Sequence, residues 1–300
     1  MTTQSPFCTD ASAGIPPAGL PTEEEILGRA GRENFKVASR LLPPAARSHL
    51  MSFYGYARLV DQLGDDYGGD RVAALAWIES ETSRALRSSA PGVHPLVARA
   101  VASLHQLGMD PAPLYHLIAA NRADQTTSEY PTFADLLGYC RLSANPIGRL
   151  VLGAFGFTDD QRMAWSDSIC SGLQLAEHWQ DVAEDGRAGR VYLPVEDLTR
   201  FGLSAADVFD RRPGAGASPL FKALMVFEVA RARQLLEDGA PLINSLPGRC
   251  RWAVAGFYAG GHAALDAIAA QDFDVLAVVA RPRPLRVAVR MVSVLGGSRL

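Results

Sequence analysis

Cysteine and histidine are too few and too scattered in this chain to form a metal-binding module. No two of the four cysteines form a C-x-x-C pair, and no combination with the six histidines has the spacing of a zinc site. Structural zinc and a thioredoxin-like redox motif are therefore excluded. Isolated cysteines in a chain of 300 residues are typical of a reducing compartment, so we expect a cytoplasmic protein. The cysteines are Cys8, Cys140, Cys170 and Cys250.

The sequence also lacks a long apolar run and an excess of basic residues. Its longest apolar stretch, residues 252–265, contains Gly260, Gly261 and His262 and is too short for a membrane span. The N-terminus has neither the basic flank nor the apolar core of a signal peptide, so we expect none. A formal net charge of −3 argues against nucleic acid as the main partner. The phosphate-binding loop, the dinucleotide fingerprint and the serine-hydrolase elbow are all missing from the sequence.

Alternating β-branched patterns are nearly absent, and helical periodicity fills most of the chain. We predict one all-α domain over residues 21–298, with several helices around a central hydrophobic cavity. Residues 1–20 are rich in Ser, Thr, Pro and Gly, and we predict that they are disordered. The predicted helices lie near 22–41, 44–66, 70–88, 95–107, 111–122, 132–156, 159–184, 217–242, 247–271 and 284–296.

Three local signals mark helix boundaries. Thr22 with Glu25, and Thr158 with Gln161, have the spacing of a capping box and are expected to begin two of these helices. Pro146 is expected to kink or break the helical segment that contains it, because proline removes a backbone donor and clashes with the preceding turn.

Two acidic clusters repeat one spacing at positions 120 residues apart. Asp61 and Asp65 are four residues apart, and so are Asp181 and Asp185. Residues four apart share one face of an α-helix, so each pair is expected to place two carboxylates side by side. Their repulsion costs about a few tenths of a kcal/mol per pair, which a hard divalent cation such as Mg²⁺ would offset. The pattern predicts a metal-bound diphosphate held by two such faces across one cavity.

The alternative to a metal site is a solvated helix face, which is the commoner explanation of a single acidic pair. Here Tyr54 and Val60 precede the first pair, and Leu175 and Trp179 precede the second. These residues are typical of a protein core. Two acidic pairs in apolar surroundings therefore favour the metal-diphosphate hypothesis.

A bound diphosphate also needs cationic donors, for which the forked arginine side chain is suited. Arg40, Arg58 and Arg190 lie in compact motifs or beside the acidic clusters. The alternative for each is a surface arginine paired with a nearby carboxylate. For His178, on the second acidic helix, a hydrogen-bonded core histidine is favoured over a pocket residue.

Aromatic residues on several predicted helices are candidates to line the cavity. Phe53, Tyr54 and Tyr139 could stabilise a carbocation through their π faces. Taken one at a time, such residues are more often part of a protein core.

The last predicted helix is both basic and apolar. Arg281, Arg283, Arg286 and Arg290 lie among Val, Leu and Met. One interpretation is a helix that lies on a membrane surface. We favour the other, a final helix that covers the core and keeps its arginines in solvent.

Several short stretches resemble the squalene and phytoene synthase family. The resemblance extends from about residue 30 to residue 285. Its motifs are Ser39-Arg40, Tyr56-Ala57-Arg58-Leu59-Val60-Asp61 with Asp65, Tyr139-Cys140, Gln174-Leu175, Gln180-Asp181 with Asp185, and Gly189-Arg190-Val191-Tyr192-Leu193-Pro194. Three further stretches are most similar to the bacterial hydroxysqualene synthases of hopanoid biosynthesis, and these are residues 33–39, 143–149 and 178–181.

The resemblance implies an isoprenoid synthase fold, a prenyl diphosphate substrate and Mg²⁺ as the cofactor. It implies that Asp61, Asp65, Asp181 and Asp185 bind the metal and act in catalysis together with Tyr139. The hydroxysqualene branch implies presqualene diphosphate as substrate, with water capturing the rearranged cation to give hydroxysqualene and diphosphate. The implied substrate-binding residues are Ser39, Arg40, Phe53, Tyr54, Arg58, Asn145, Gln180, Arg190 and Tyr192.

The chain departs from the family pattern at three positions. Gln62 stands where relatives often have a second aspartate, Glu177 where many have a neutral residue, and Glu129 where a basic residue is expected. Gln62 removes one charge from the first motif, whereas Glu177 adds a carboxylate one turn before Asp181.

Two alternatives stay open at this point. The same fold can condense two farnesyl diphosphates to presqualene diphosphate, or two geranylgeranyl diphosphates to phytoene. The other alternative is a non-catalytic helical homologue that binds a lipid or a partner enzyme. Since the implied product is a membrane-soluble lipid, peripheral contact with the inner face of the membrane and with neighbouring squalene-pathway enzymes are further hypotheses.

Overall fold

The computed structural model shows an all-α protein, as predicted. It describes residues 16–30, 44–87, 92–209 and 216–296. Within these ranges no strand occurs, and an isolated bridge joins Glu129 to Val191. Ser39 and Arg40 lie outside the described residues, as do the family-like stretch 33–39 and most of the segment predicted to be disordered. The roles predicted for those residues stay predictions.

Contacts along the chain divide it into two compact units. The first contains the described residues up to Gln125 together with residues 153–156, and the second contains the remaining described residues from Thr126 onward. The assignment of residues 21–298 to a single domain stays a prediction.

The helices of the first unit are α1 (Glu23–Ala30), α2 (Pro44–Asp61), α3 (Arg71–Arg87), α4 (Pro95–Leu107) and α5 (Ala112–Ala123). They pack around α2, which contacts α1, α4 and α5. The buried Tyr56 fixes α2 further, because its hydroxyl lies 2.9 Å from Thr82 Oγ1 and 3.3 Å from the Leu114 carbonyl oxygen. The capping box predicted at α1 is present: the Thr22 N–H donates to Glu25 Oε2 at 2.7 Å, and the Glu25 N–H donates to Thr22 Oγ1 at 3.3 Å.

The first acidic motif continues α2 as a π-helix over Gln62–Asp66. The expectation of an α-helix through this motif is therefore wrong. A π-turn holds one residue more than an α-turn, and such turns are frequent at functional sites. Helix α5 contacts the π-turn at Gly64, where a Cβ atom would overlap Asn121 Oδ1. Gln125 Nε2 also donates to the Gly64 carbonyl at 3.0 Å, so side chains of α5 bind the widened turn.

The helices that follow are α6 (Phe133–Ser143), α7 (Asn145–Ala154), α8 (Asp160–Arg187), α9 (Val195–Arg200), α10 (Ala206–Phe209), α11 (Pro219–Gly239), α12 (Pro241–Ser245), α13 (Gly248–Ala270) and α14 (Pro284–Leu295). The second unit is built on the long helix α8, which contacts α6, α11 and α13. Pro146 breaks the predicted segment as expected, because α6 ends at Ser143 and α7 begins at Asn145. The capping box predicted at Thr158 is wrong by one residue, since Asp159 is the N-cap and accepts from the Arg162 N–H at 3.0 Å.

In the described part of the chain, no helix combines the length and the hydropathy that a membrane crossing requires.

Candidate active site

The second acidic motif lies in a regular stretch of α8, so Asp181 and Asp185 share one helix face. Loss of solvent raises the pKa of Asp181, and the negative charges of Glu177 and Asp185 raise it further. The carboxylates are therefore close enough to repel one another. Such a group of oxygen donors would gain stability from a bound cation.

A polar row leads from this motif toward the middle of α8. Ser171, Gln174, His178, Asp181 and Asp185 follow one another at intervals of three and four residues, which keeps them on one side of the helix. Gln174 Nε2 lies 3.1 Å from His178 Nε2, and His178 Nδ1 lies 3.9 Å from Asp185 Oδ2.

The predicted substrate residue Asn145 is joined to the same row. Asn145 is buried at the start of α7, and its Oδ1 accepts a hydrogen bond from Ser171 Oγ at 3.0 Å. This hydrogen bond holds Asn145, which belongs to the family-like stretch 143–149, against α8.

A cluster of buried aromatic rings surrounds His178. Its imidazole stacks on Tyr192 with ring centroids 3.7 Å apart, and the Tyr139 centroid is 6.1 Å away. Tyr130 completes the cluster, at 5.5 Å from Tyr139 and 5.8 Å from Tyr192. These rings present π faces that can stabilise a cation in a dry environment. The structure thus brings together Tyr139, Tyr192 and the second acidic motif.

The turn after α8 positions Arg190 and Tyr192. Gly189 has a φ of +80°, and the Arg190 N–H then donates to the Asp185 carbonyl at 2.9 Å. The Val191 N–H donates to the Ser128 carbonyl at 2.8 Å, which aligns the turn with the segment before α6. The half-buried Arg190 is therefore held next to the end of the helix that carries the second motif.

An apolar cavity of about 250 Å³ lies beside the other half of α8. Gly148 lets α7 approach α8 closely at this wall, because a Cβ there would overlap both Ser166 Oγ and Cys170 Sγ. Gln174 and Glu177 form its polar end, so the departure at Glu177 falls at the junction of the cavity and the acidic motif. The apolar wall includes Ile147, Val151, Ile169, Leu173, Val254 and Phe257.

The first acidic motif provides a different environment for its carboxylates. Loss of solvent raises the pKa of Asp61 to about 6; hydrogen bonding to Asn121 and the charge of Arg58 oppose this rise, and Asp65 and Asp124 add to it. Asn121 Nδ2 lies 3.5 Å from Asp61 Oδ1, and Arg58 Nη1 lies 3.9 Å from Asp61 Oδ2. The Asp61 side chain is 43% exposed. Water therefore reaches the Asp61 carboxyl, although protein surrounds it on most sides. We infer that it lies in a concave part of the surface.

The other predicted residues differ in their surroundings. Phe53 is buried and Tyr54 half-buried on α2. The amide of Gln180 donates to the carbonyl of Ala280, away from the polar row. Gln62 lines another cavity together with Asp66, and the Asp61 side chain is not part of that lining.

The donor set of the two motifs is suited to Mg²⁺. Within the described ranges, no three His, Cys, Asp or Glu side chains converge to hold a metal ion. Mg²⁺ does not require such a cluster, because one or two carboxylates, several waters and substrate phosphates complete its coordination. Carboxylate pairs such as Asp181 with Asp185 supply oxygen ligands of the preferred kind.

Sequence reasoning missed several residues of the site. Asn121, Asp124 and Gln125 interact with the first acidic motif, and Tyr130 belongs to the aromatic cluster, although none of the four was predicted as a site residue. Gln174 occurs in a family-like motif, but its contact with His178 was not predicted. The available signal was a pair of amides, Asn121 and Gln125, four residues apart at the end of a mostly apolar helix. His178 is buried as favoured, but it also belongs to the polar row.

Several known proteins are similar to this chain in sequence or in structure. A hydroxysqualene synthase of Rhodopseudomonas palustris is 34% identical over 215 residues, which is 70% of this chain and 70% of the relative. A phytoene synthase of Arthrospira platensis is 29% identical over 264 residues, covering 81% of this chain and 82% of the relative. The crystal structure of the squalene synthase HpnC from Alicyclobacillus acidocaldarius is 38% identical, with a TM-score of 0.77 over 86% of this chain and 97% of that one.

The family described as squalene/phytoene synthase matches residues 29–292. This range includes both acidic motifs, the aromatic cluster and the walls of the apolar cavity. The chain therefore belongs to the squalene/phytoene synthase family.

Proposed function

We propose that this chain is a hydroxysqualene synthase, which releases diphosphate from presqualene diphosphate and adds water to the rearranged cation. The observation that carries the proposal is the layout of α8. Its C-terminal half holds Asp181 and Asp185, and its middle forms a wall of the apolar cavity. From Leu173 to Asp181 the helix rises about 12 Å. A substrate with a charged head and a hydrocarbon tail matches that separation.

The two acidic motifs would bind the diphosphate through Mg²⁺. Asp61 and Asp65 would contribute from the first motif, and Asp181 and Asp185 from the second. When bound, Mg²⁺ supplies Lewis-acid stabilisation of the charge that develops on the leaving diphosphate. Arginines add positive charge to the same group, and the candidates are Arg40, Arg58 and Arg190.

The reaction needs a dry wall beside the departing diphosphate. The carbon–oxygen bond breaks, its electron pair leaves with the diphosphate, and a cyclopropylcarbinyl cation remains. The rings of Tyr139 and Tyr192, with those of Phe53 and Tyr54, would shield this cation while it rearranges. The oxygen of one water then bonds to the cation, and the released diphosphate takes up the proton.

A product assay tests the proposal. Purified protein with Mg²⁺ and without NADPH is given presqualene diphosphate or farnesyl diphosphate in separate reactions. We expect hydroxysqualene and diphosphate from the first substrate and no consumption of the second. Asp181→Asn is the matched control, since it keeps the side-chain shape and removes the charge. Inertness of the native protein toward both substrates would refute the proposal and favour a non-catalytic homologue.

The condensing reaction is the second candidate. Similarity to the Arthrospira platensis phytoene synthase extends over 81% of this chain, further than the 70% matched by the Rhodopseudomonas palustris hydroxysqualene synthase. Consumption of farnesyl or geranylgeranyl diphosphate, with presqualene diphosphate or phytoene as product, would place the chain in this class. The enzyme would then be a transferase rather than a lyase.

A further inference from the structure

The last helix, α14, is apolar on two opposite sides, and only one of them is covered. Val287, Met291 and Val294 are half-buried on the side that packs against α13. On the other side, three residues at helical spacing are largely exposed: Leu285 at 75%, Val289 at 57% and Val292 at 68%. We call these three residues the outer row. The interpretation that α14 simply covers the core accounts for the inner side alone.

The C-terminal segment that contains the outer row is basic. The last twenty residues contain five arginines and no acidic residue, although the whole chain has a net charge of −3. Arg290 is held by Asp266 at 2.8 Å and therefore has a structural partner. Arg281 and Arg283 just before the helix, and Arg286 in its first turn, are exposed. An apolar row beside a basic group is typical of helices that lie at a membrane interface.

An exposed tryptophan lies near the other end of α14. Arg251 Nη2 donates to the Leu295 carbonyl at 3.1 Å, which places the start of α13 beside the end of α14. Trp252 is 52% exposed and lies four residues before Gly256, the position of α13 that faces Met291. It therefore occurs on the side of α13 that is turned toward α14. Tryptophan rings are enriched at membrane–water interfaces because one edge is polar.

We propose that the outer row, with Trp252 and the exposed arginines, binds the protein to a membrane surface that contains anionic lipids. The apolar side chains would enter the interface, and Arg281, Arg283 and Arg286 would contact lipid phosphates. Charge argues against a second copy of the chain as the occupant. A two-fold interface through the outer row would bring these arginines of both copies together with no acidic residue among the last twenty positions. The inference does not depend on the proposed reaction.

The test is co-sedimentation of the purified protein with vesicles, without substrate. We expect binding to vesicles of phosphatidylcholine with phosphatidylglycerol, weaker binding to phosphatidylcholine alone, and weakening by added salt. The triple variant Leu285→Ser, Val289→Ser, Val292→Ser should reduce binding at least about tenfold. The double variant Arg283→Gln, Arg286→Gln should reduce it about fivefold for each arginine removed.

Matched controls distinguish binding through this surface from non-specific adsorption to vesicles. Leu220→Ser with Val226→Ser removes exposed apolar residues from α11, and Arg87→Gln with Arg141→Gln removes exposed arginines elsewhere. Both controls should bind vesicles as the native chain does. Circular dichroism and thermal unfolding verify that each variant is folded. If the triple variant is not, the single variants Leu285→Ser and Val292→Ser replace it.

Three results would overturn the proposal. The first is no binding to the anionic vesicles, and the second is equal loss of binding in the control variants. The third is a concentration-dependent dimer, measured by sedimentation, that the triple variant abolishes while vesicles fail to bind the native protein. That last result would identify the outer row as an interface between copies.

Discussion

The imidazole ring of His178 lies nearly parallel to the phenol ring of Tyr192, with ring centroids 3.7 Å apart and an angle of 16° between the planes. Stacking fixes the plane of the imidazole, and its two nitrogens then face different partners. His178 Nε2 lies 3.1 Å from the side-chain amide nitrogen of Gln174, and the tautomer of the imidazole decides the direction of this contact. His178 Nδ1 lies 3.9 Å from Asp185 Oδ2, which is longer than a direct hydrogen bond. His178 therefore lies beside a carboxylate of the second motif.

Two substitutions separate the ring stacking of His178 from its polar contacts. His178→Phe keeps an aromatic ring and removes both ring nitrogens, so we expect activity to fall about tenfold or more and the Mg²⁺ concentration for half activity to rise. His178→Asn keeps a polar group close to the second motif and should recover part of the loss. The thermal shift produced by Mg²⁺ with diphosphate gives a readout that is independent of turnover. An unchanged Mg²⁺ dependence in His178→Phe would contradict this role.

Replacing Asp61 with Asn should lower activity and, above pH 6, raise the stability of the fold. Loss of solvent raises its pKa to about 6 from an ordinary value of 3.8, so the folded state prefers the protonated form. The Asp61 carboxyl therefore makes its full contribution to the free energy of unfolding below pH 3.8, and this contribution is lost as the pH rises to about 6. We expect Asp61→Asn to lose activity on the order of a hundredfold or more, with unchanged helical circular dichroism.

The same variant should unfold at a higher temperature than the native protein above pH 6, with the difference disappearing near pH 3.8. Thermal unfolding over this range is the measurement, and the exposed Glu237→Gln is the control for loss of one charge. A lower unfolding temperature for Asp61→Asn above pH 6 would show that this carboxylate stabilises the fold.

A fully buried acid, Glu228, lies outside the candidate site. Glu228 on α11 has no exposed surface, and Arg231 Nη1 contacts both Glu228 Oε1 at 3.3 Å and Asp197 Oδ2 at 2.5 Å. The guanidinium of Arg231 also lies over the Phe133 ring, 3.9 Å from its centroid. Arg231 thus forms ion pairs with two buried acidic side chains. Burial raises the pKa of Glu228 to about 8; the Arg231 charge opposes this rise, and the charge of Asp197 adds to it.

Ionisation of Glu228 should lower the free energy of unfolding as the pH rises. Because its folded-state pKa of about 8 is above the ordinary 4.5, the folded state binds more protons than the unfolded state between these values. The free energy of unfolding should therefore fall across this window, by roughly 2–4 kcal/mol. Glu228→Gln should flatten the fall, whereas Glu237→Gln on the same helix should leave it unchanged. Denaturant unfolding at several pH values measures both slopes, and equal slopes in all three proteins would refute the assignment.

Gly64 should tolerate no side chain. A Cβ at this position overlaps Asn121 Oδ1, so Gly64→Ala must displace the amide that approaches Asp61. We expect a loss of about 1–3 kcal/mol in the free energy of unfolding together with reduced activity. Gly138→Ala is the control, because that glycine is helical and nothing lies within 4 Å of its Cβ position. It should stabilise the protein by about 0.5–1 kcal/mol. Similar stabilities of the two variants would contradict the close contact at Gly64.

The second acidic motif was largely predictable, because its geometry is local. Four-residue spacing in a regular α-helix determines that Asp181 and Asp185 share a face, and α8 is regular there. Pro146 likewise acts on its own turn, and the break occurs where expected. The N-cap of α8 was missed because Thr158 and Asp159 are adjacent and have similar capping preference. Asp159 also pairs with Arg162 at 2.7 Å, an interaction that the capping rule does not include.

The first motif was less predictable because its geometry depends on residues distant in sequence. The π-turn contacts α5 through Gly64, Asn121 and Gln125, and Asn121 is 60 residues after Asp61. Helical periodicity contains no information about such a contact. The aromatic cluster presents the same difficulty, since Tyr130, Tyr139 and Tyr192 come from separate segments.

The π-turn at Gln62–Asp66 makes the two acidic motifs differ in their tolerance of insertions and deletions. Removing one residue from this turn would leave a continuous α-helix with Tyr67 and the glycines after it still in phase, because the turn holds one residue more than an α-turn. The same deletion inside α8 would rotate every later side chain by about 100° and separate Asp185 from Asp181. Homologues that differ in length by one residue can therefore be aligned with a gap at the first motif, whereas a gap at the second would mark a chain that has lost its carboxylate pair.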